Sequence, residues 1–188
     1  MSELSDAKVF GGIGAILSTF GILVPLRIGF IVSITGFILE VVAIHKISRV
    51  LNDEAIFMNY LISIVLTIVG VFVAIFLGIT AGITSAISGR MFQVLLSIVL
   101  VLFVLCIVLV LSAIFLKKSF DSIAKKLNVS LFSTAALIYL IGAPMVIILV
   151  GLIILFIADI IKIIAFFSIP EAVPQPPQPL PPPPTGWV

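Results

Sequence analysis

Residues 91–116 read MFQVLLSIVLVLFVLCIVLVLSAIFL, with no charge, no Gly and no Pro. A helix crossing a bilayer needs roughly 17–25 predominantly apolar residues. Lipid offers no hydrogen bonds to an exposed backbone, so such a stretch must satisfy its own amides as a helix. This run is the surest span of the chain, and it sets the fold class as an all-α transmembrane bundle.

Working outward, the run from Phe57 to Thr80 is also long enough to cross. The runs from Val9 to Val24 and from Ile28 to Ile44 are each short, yet too long together for one span. Pro25 breaks a helix between them and Arg27 resists burial, so a tight hairpin is expected. The last apolar stretch, residues 135–169, would extend about 50 Å as a single helix. The hydrocarbon core is about 30 Å thick. Two spans are favoured there, with Gly142, Pro144 and Gly151 as the weak points. The alternative is one span running into an interfacial helix, so five or six spans are expected.

Composition agrees. Of the 188 residues 62% are hydrophobic and 10% charged, with a mean hydropathy of +1.46. Soluble domains lie nearer half apolar and a quarter charged. A formal charge of +2 leaves no basic surface for nucleic acid. A single cysteine, Cys106, rules out an internal disulfide, and a single histidine, His45, gives little material for a metal or triad site. No cofactor, no metal and no enzymatic activity are expected. The leader MSELSDAK carries two acids and one lysine, unlike a secretory signal, so the helix after it is read as retained, with Ser5 or Asp6 as its N-cap.

Basic residues set the orientation. With six spans, Lys8, Lys46, Arg49, Lys117, Lys118, Lys125 and Lys126 fall on one side, and Arg27 and Arg90 on the other. Cytoplasmic segments carry the Lys/Arg excess, so the N-terminus is expected in the cytoplasm and the protein in the cell membrane. The segment from Lys117 to Leu131 is amphipathic. Phe120, Ile123, Ala124, Leu127 and Leu131 recur at helical spacing, which suits a helix lying on the membrane surface with Lys117, Lys118, Lys125 and Lys126 toward anionic headgroups. A solvated linker is the alternative.

Internal similarity is visible. Residues 47–52, ISRVLN, match 123–128, IAKKLN, each followed by an aromatic entry, Ile56-Phe57 and Leu131-Phe132. The run from Gly29 to Lys46 aligns with that from Gly151 to Ser168, placing Glu40 opposite Lys162. This reads as stacked helical hairpins, none able to bury its inner face alone. Chance similarity in an Ile/Leu/Val-rich alphabet is the alternative.

The junction motifs carry a family resemblance. SDAKVFGGIGAIL (5–17), SFDSIAKKLNVSLF (119–132), LIYLIGAP (137–144) and AFFSIPE (165–171) resemble an archaeal family of small multi-pass membrane proteins known only as a domain of unknown function. The resemblance covers about residues 5–171. It implies a membrane location and a proline-rich tail, and it brings no activity and no functional residue with it.

Three features remain as functional candidates. Gly70, Ala74, Gly78, Gly82 and Ala86 place a small residue at every fourth position, which lets helices approach closely in lipid, within the bundle or between copies. Gly11, Gly12, Gly14, Ala15 and Ser18 give the first helix a similar face. Glu40, Asp159 and Lys162 are ionisable groups inside expected spans, so they should face the bundle and find partners; they suit an ion or proton relay, or a structural ion pair near the interface. The tail, residues 170–188, holds nine of the eleven prolines and ends PQPPQPLPPPPTGWV. It should form an extended polyproline II rod, a ligand for aromatic-lined grooves or a stiff extension, with Trp187 as an anchor.

The domain organisation expected is a transmembrane helical domain over 1–169 and a proline-rich tail over 170–188. The function expected is a non-enzymatic membrane scaffold or assembly subunit, in contact with the bilayer and with a second copy or a polyproline-binding partner. The alternative is a small ion or proton transporter or channel using Glu40, Asp159 and Lys162. A polar cavity around those residues would favour the transporter, and a dry bundle with an exposed small-residue groove would favour the scaffold.

Overall fold

A computed structural model describes residues 3–88 and 91–174. They form six α-helices: α1 Glu3–Phe20, α2 Leu26–Val50, α3 Glu54–Ser88, α4 Met91–Leu127, α5 Ser130–Met145 and α6 Val150–Phe167. No strand occurs among the described residues. Four helices, α2, α3, α4 and α6, are long and apolar enough to cross a membrane, while α5 is a shorter apolar helix. The outer surface supports a lipid environment: Phe72, Phe76 and Phe92 are 69%, 66% and 75% exposed. Soluble monomers rarely leave such faces to water.

The helices pair as three hairpins, α1–α2, α3–α4 and α5–α6. Further contacts of α2 with α3, α4 with α5, and α1 with α6 close them into a ring. The expected hairpin at Pro25 is present: a 3-10 turn over Gly21–Leu23 precedes Pro25, which opens α2. At an N-terminus the missing proline N–H would have had no helical partner. The close approach of α1 to α2 depends on glycine. A Cβ on Gly14 would sit 2.7 Å from the Gly36 carbonyl oxygen and 2.8 Å from the Glu40 nitrogen, backbone atoms that cannot step aside.

The last apolar stretch folds back on itself. A 3-10 turn over Val146–Ile148 and a left-handed Leu149, at φ 61°, reverse the chain between α5 and α6. Gly151 lies against the backbone of Met145 and Val146, where a side chain has no room. Of the expected weak points, Pro144 lies in the last turn of α5, Gly142 three residues before its end, and Gly151 just after the reversal.

The repeat is present at the junctions. Asn52 and Asn128 both take left-handed backbone, φ 48° and 56°. Behind them, the Asp53 amide donates to the Ser48 carbonyl (3.0 Å) and the Val129 amide to the Ala124 carbonyl (3.1 Å). These bonds have the spacing that closes a helix in a Schellman motif, with Asn in the usual glycine position. The repeat extends to all three hairpins. Ala43, Ser119 and Ala165 are fully buried at matching positions of α2, α4 and α6. One residue further on are Ile44, Phe120 and Phe166, and three beyond those are Ile47, Ile123 and Ile169, all at most 1% exposed.

Two expectations are corrected. The segment from Lys117 to Leu127 is no separate surface helix; it continues α4, and Phe120, Ile123 and Leu127 belong to the core. Neighbouring hairpins cover that apolar face before lipid can, and an amphipathic pattern does not distinguish the two coverings. The lysines lie outside this face. Lys117 pairs with Asp121, Lys126 with Asp53 (2.8 Å), and Lys118 lies 5.1 Å from the Phe115 ring centre; Lys125 is exposed. Helix α1 begins at Glu3, so Ser5 and Asp6 lie inside its first turns and do not cap it. Asp6 instead accepts a hydrogen bond from Lys46 at 2.9 Å, which holds its carboxyl below the usual carboxylate range.

The fully packed core gathers at one end, where α1, α3 and α5 begin and α2, α4 and α6 finish. There four rings from four helices stand edge to face or stacked: Tyr60 on Phe120 (6.3 Å between centres), Phe120 on Phe132 (5.4 Å) and Phe132 on Phe166 (5.2 Å). Aromatic pairs in these geometries add about 0.5–1.5 kcal/mol each beyond the area they bury. This layer closes the bundle on the N-terminal side. Towards the far end, the outer halves of α3 and α4 lie largely exposed.

Candidate functional site

Just beyond the aromatic layer the core opens into a cavity of about 330 Å³. Every helix contributes to its wall: Ser18 and Thr19 from α1, Glu40 from α2, Tyr60, Ser63 and Thr67 from α3, Leu116 and Phe120 from α4, Tyr139 from α5, and Asp159 and Lys162 from α6. The repeat explains part of this placement. Glu40, Leu116 and Lys162 occupy one repeat position on α2, α4 and α6, four residues before the aromatic or Ile44 position, and all three line the cavity. Two of the three equivalents are charged, and of opposite sign.

The ionisable residues meet there. The Lys162 ammonium lies 3.1 Å from Glu40 Oε2, 3.3 Å from Glu40 Oε1 and 2.8 Å from Asp159 Oδ1. Glu40 and Lys162 are 4% and 10% exposed at the side chain, and Asp159 27%. Hydroxyls complete the shell. Ser18 donates to Glu40 Oε1, Tyr60 to Glu40 Oε2 at 3.5 Å, and Tyr139 to Asp159 Oδ1. Lys162 also lies 5.9 Å from the Tyr139 ring centre. On the α3–α4 side, Thr67 and Ser112 share a hydrogen bond at 2.7 Å and Ser63 and Ser112 one at 3.0 Å, while Ser112 also donates to the Ser63 carbonyl at 2.9 Å.

One wall group is unsatisfied. Thr19 is 7% exposed, and its Oγ1 has no hydrogen-bond partner among the described residues. Leaving a buried hydroxyl unmatched costs about 1–3 kcal/mol.

Asp159 sits at the middle of α6, nine residues after Val150 and eight before Phe167. The hydroxyl shell was not singled out from the sequence. Its signal is the spacing of Tyr60, Ser63 and Thr67, three polar side chains on one face of an otherwise apolar helix.

The small-residue stripe of α3 divides in two. Gly70 is buried against Val108 of α4, Ala74 is half-buried, and Gly78 and Gly82 face open space, with nothing within 4 Å of where a Cβ would be. An apolar groove between Gly78, Ala81 and Gly82 on one side and Val94, Ile98, Val101 and Leu102 on the other lies there. The side chain of Ala86 falls outside the described residues, as do residues 175–188 with Trp187. On α1, Gly11 lies against the Phe166 ring and Gly12 against the Phe167 ring, so that helix's small face seats α6.

Three apolar hairpins packed around a partly open, charged cavity define an all-α bundle of the polytopic membrane class. The chain belongs to the family of proteins of unknown function DUF996, whose model matches residues 32–160. It is also 37% identical over 171 residues to an uncharacterized protein of Methanocaldococcus jannaschii, an alignment covering 90% of this chain and 94% of that one. No solved structure matches it. The family resemblance read from the junction motifs is thereby established, and it leaves the role to be argued from the site. The matched segment contains Glu40, Tyr60, Tyr139 and Asp159, and it stops two residues short of Lys162.

Proposed function

We propose that this protein is a small transporter or channel of the cell membrane whose cargo enters the cavity around Glu40, Asp159 and Lys162. The observation that carries the reading is a hydroxyl-lined cavity, at mid-helix depth on α6, that brings together all three ionisable residues of the expected spans. Groups this costly to bury in lipid mark ion and proton pathways. The Lys/Arg excess at the aromatic-sealed end supports an N-terminus in the cytoplasm, with the seal on that side. The reading involves no bond-making chemistry and no cofactor.

Reconstitution into liposomes with a pH-sensitive dye inside tests it. Under an imposed potential the intact chain should carry a proton or cation current, and Asp159→Asn and Glu40→Gln should abolish it while the protein remains folded. Equal fluxes in liposomes with and without the protein, for protons and for alkali cations, would refute it.

A scaffold role is the second reading, and Gly78 and Gly82 favour it. Glycines facing open space on a long apolar hairpin suit docking of a second copy, since helix association in lipid relies on such close approach. The proline tail would then be the contact for a polyproline-binding partner.

A further inference from the structure

A transporter needs a cargo, and on the transport reading the cavity's charge and ligand atoms narrow which one. Among the lining residues there are two carboxylates, Glu40 and Asp159, and one ammonium, Lys162. The other titratable groups facing them are the phenols Tyr60 from α3 and Tyr139 from α5; α1 and α4 contribute only hydroxyl and apolar side chains. With the carboxylates ionised the site carries one uncompensated negative charge inside an apolar bundle. Isolated buried charge is strongly unfavourable, so the site calls for a positive counter-charge.

The ligand atoms say what kind. Apart from the Lys162 nitrogen, every polar side-chain atom on the wall is an oxygen, and no His, Cys or Met lines it. Oxygen-only shells suit hard cations, and soft or borderline metals need nitrogen or sulfur. A single negative charge is balanced by a monovalent ion and overshot by a divalent one. The closest contacts of Asp159 with Lys162 and Tyr139 both fall on Oδ1, and its side chain is 27% exposed. The Thr19 hydroxyl, 7% exposed and unmatched, supplies a waiting oxygen on the same cavity wall. At about 30 Å³ per water, the 330 Å³ cavity holds an ion together with several waters.

We propose that the cavity is a binding site for a monovalent alkali cation, held by Asp159 and the Thr19 hydroxyl. Lys162 fixes both carboxylates in place and keeps the site from accepting a second positive charge.

The full-length chain in detergent, heated in NaCl, KCl, LiCl or choline chloride at equal ionic strength and pH 8, tests the site without requiring transport. One alkali ion should raise the unfolding midpoint by several degrees over choline. Asp159→Asn should remove the shift, and Thr19→Val should weaken the apparent affinity roughly tenfold, the loss of one good ligand contact. Asp53→Asn, in the α2–α3 link and away from the cavity, should keep it. Should Asp159→Asn fail to fold, sodium-23 NMR line broadening by the unaltered chain, reversed by excess potassium or lithium chloride, replaces that arm. Identical midpoints in all four salts at pH 8, with no sodium broadening, would overturn the cation site. A proton flux surviving that result would leave the transport reading standing with protons as cargo. Cation binding without flux would sustain the site and refute transport.

Discussion

With Lys162 holding Glu40 at 3.1 Å and Asp159 at 2.8 Å, loss of its ammonium leaves two carboxylates facing each other in the bundle. Removing one partner of a buried pair costs about 3–5 kcal/mol, because the charge left behind has no compensation. Lys162→Met should therefore unfold at markedly lower denaturant than the parent at pH 7.5. Adding Glu40→Gln to Lys162→Met should restore part of the loss. The sequence alone marked the three charged residues, since ionisable groups are conspicuous in apolar runs. It also put Glu40 opposite Lys162 through the repeat. Tyr60, Tyr139 and Thr19 were passed over and Ser18 was read only as part of a small face, because hydroxyls are cheap to bury and only their convergence from several helices gives them meaning.

At the scale of elements, three residues reverse the chain in left-handed backbone: Asn52, Asn128 and Leu149. Asn tolerates that region through its short polar side chain, whereas a leucine pays about 1–2 kcal/mol there. Leu149 is 71% exposed, so its side chain gives little packing in return. Leu149→Gly should raise stability by about 1 kcal/mol, while Asn128→Ala should lower it by a similar amount, both read from denaturant midpoints. These turns show how far the sequence could be read. Pro25 announced its hairpin because proline acts locally. Leu149 gave no signal, because its conformation is imposed by the packing of α5 on α6. The amphipathic stretch from Lys117 to Leu131 was legible as a helix and misassigned in its partner, since an apolar stripe does not reveal whether lipid or protein covers it.

At the scale of the molecule, three hairpins gather their best packing at one end and leave a cavity lined by hydroxyls, two carboxylates and one ammonium just above it. Helices α3 and α4, with 35 and 37 residues, would run about 52 and 56 Å, well beyond the other four. Tilt or protrusion from the bilayer must accommodate that excess. The repeat was visible at the ISRVLN and IAKKLN junctions, but the common cavity needed coordinates, because it forms only when all three hairpins close. Whether that cavity is wet, and from which side, is the direct test. In a Cys106→Ala background, Thr67→Cys places a thiol on the cavity wall. Small cationic and anionic methanethiosulfonate reagents are then applied to sealed vesicles of each orientation. Reaction is expected only from the face opposite the N-terminus, and faster with the cationic reagent than with the anionic one. A thiol that stays unreactive from both faces, or reacts only from the N-terminal face, would contradict a transport cavity sealed on the cytoplasmic side.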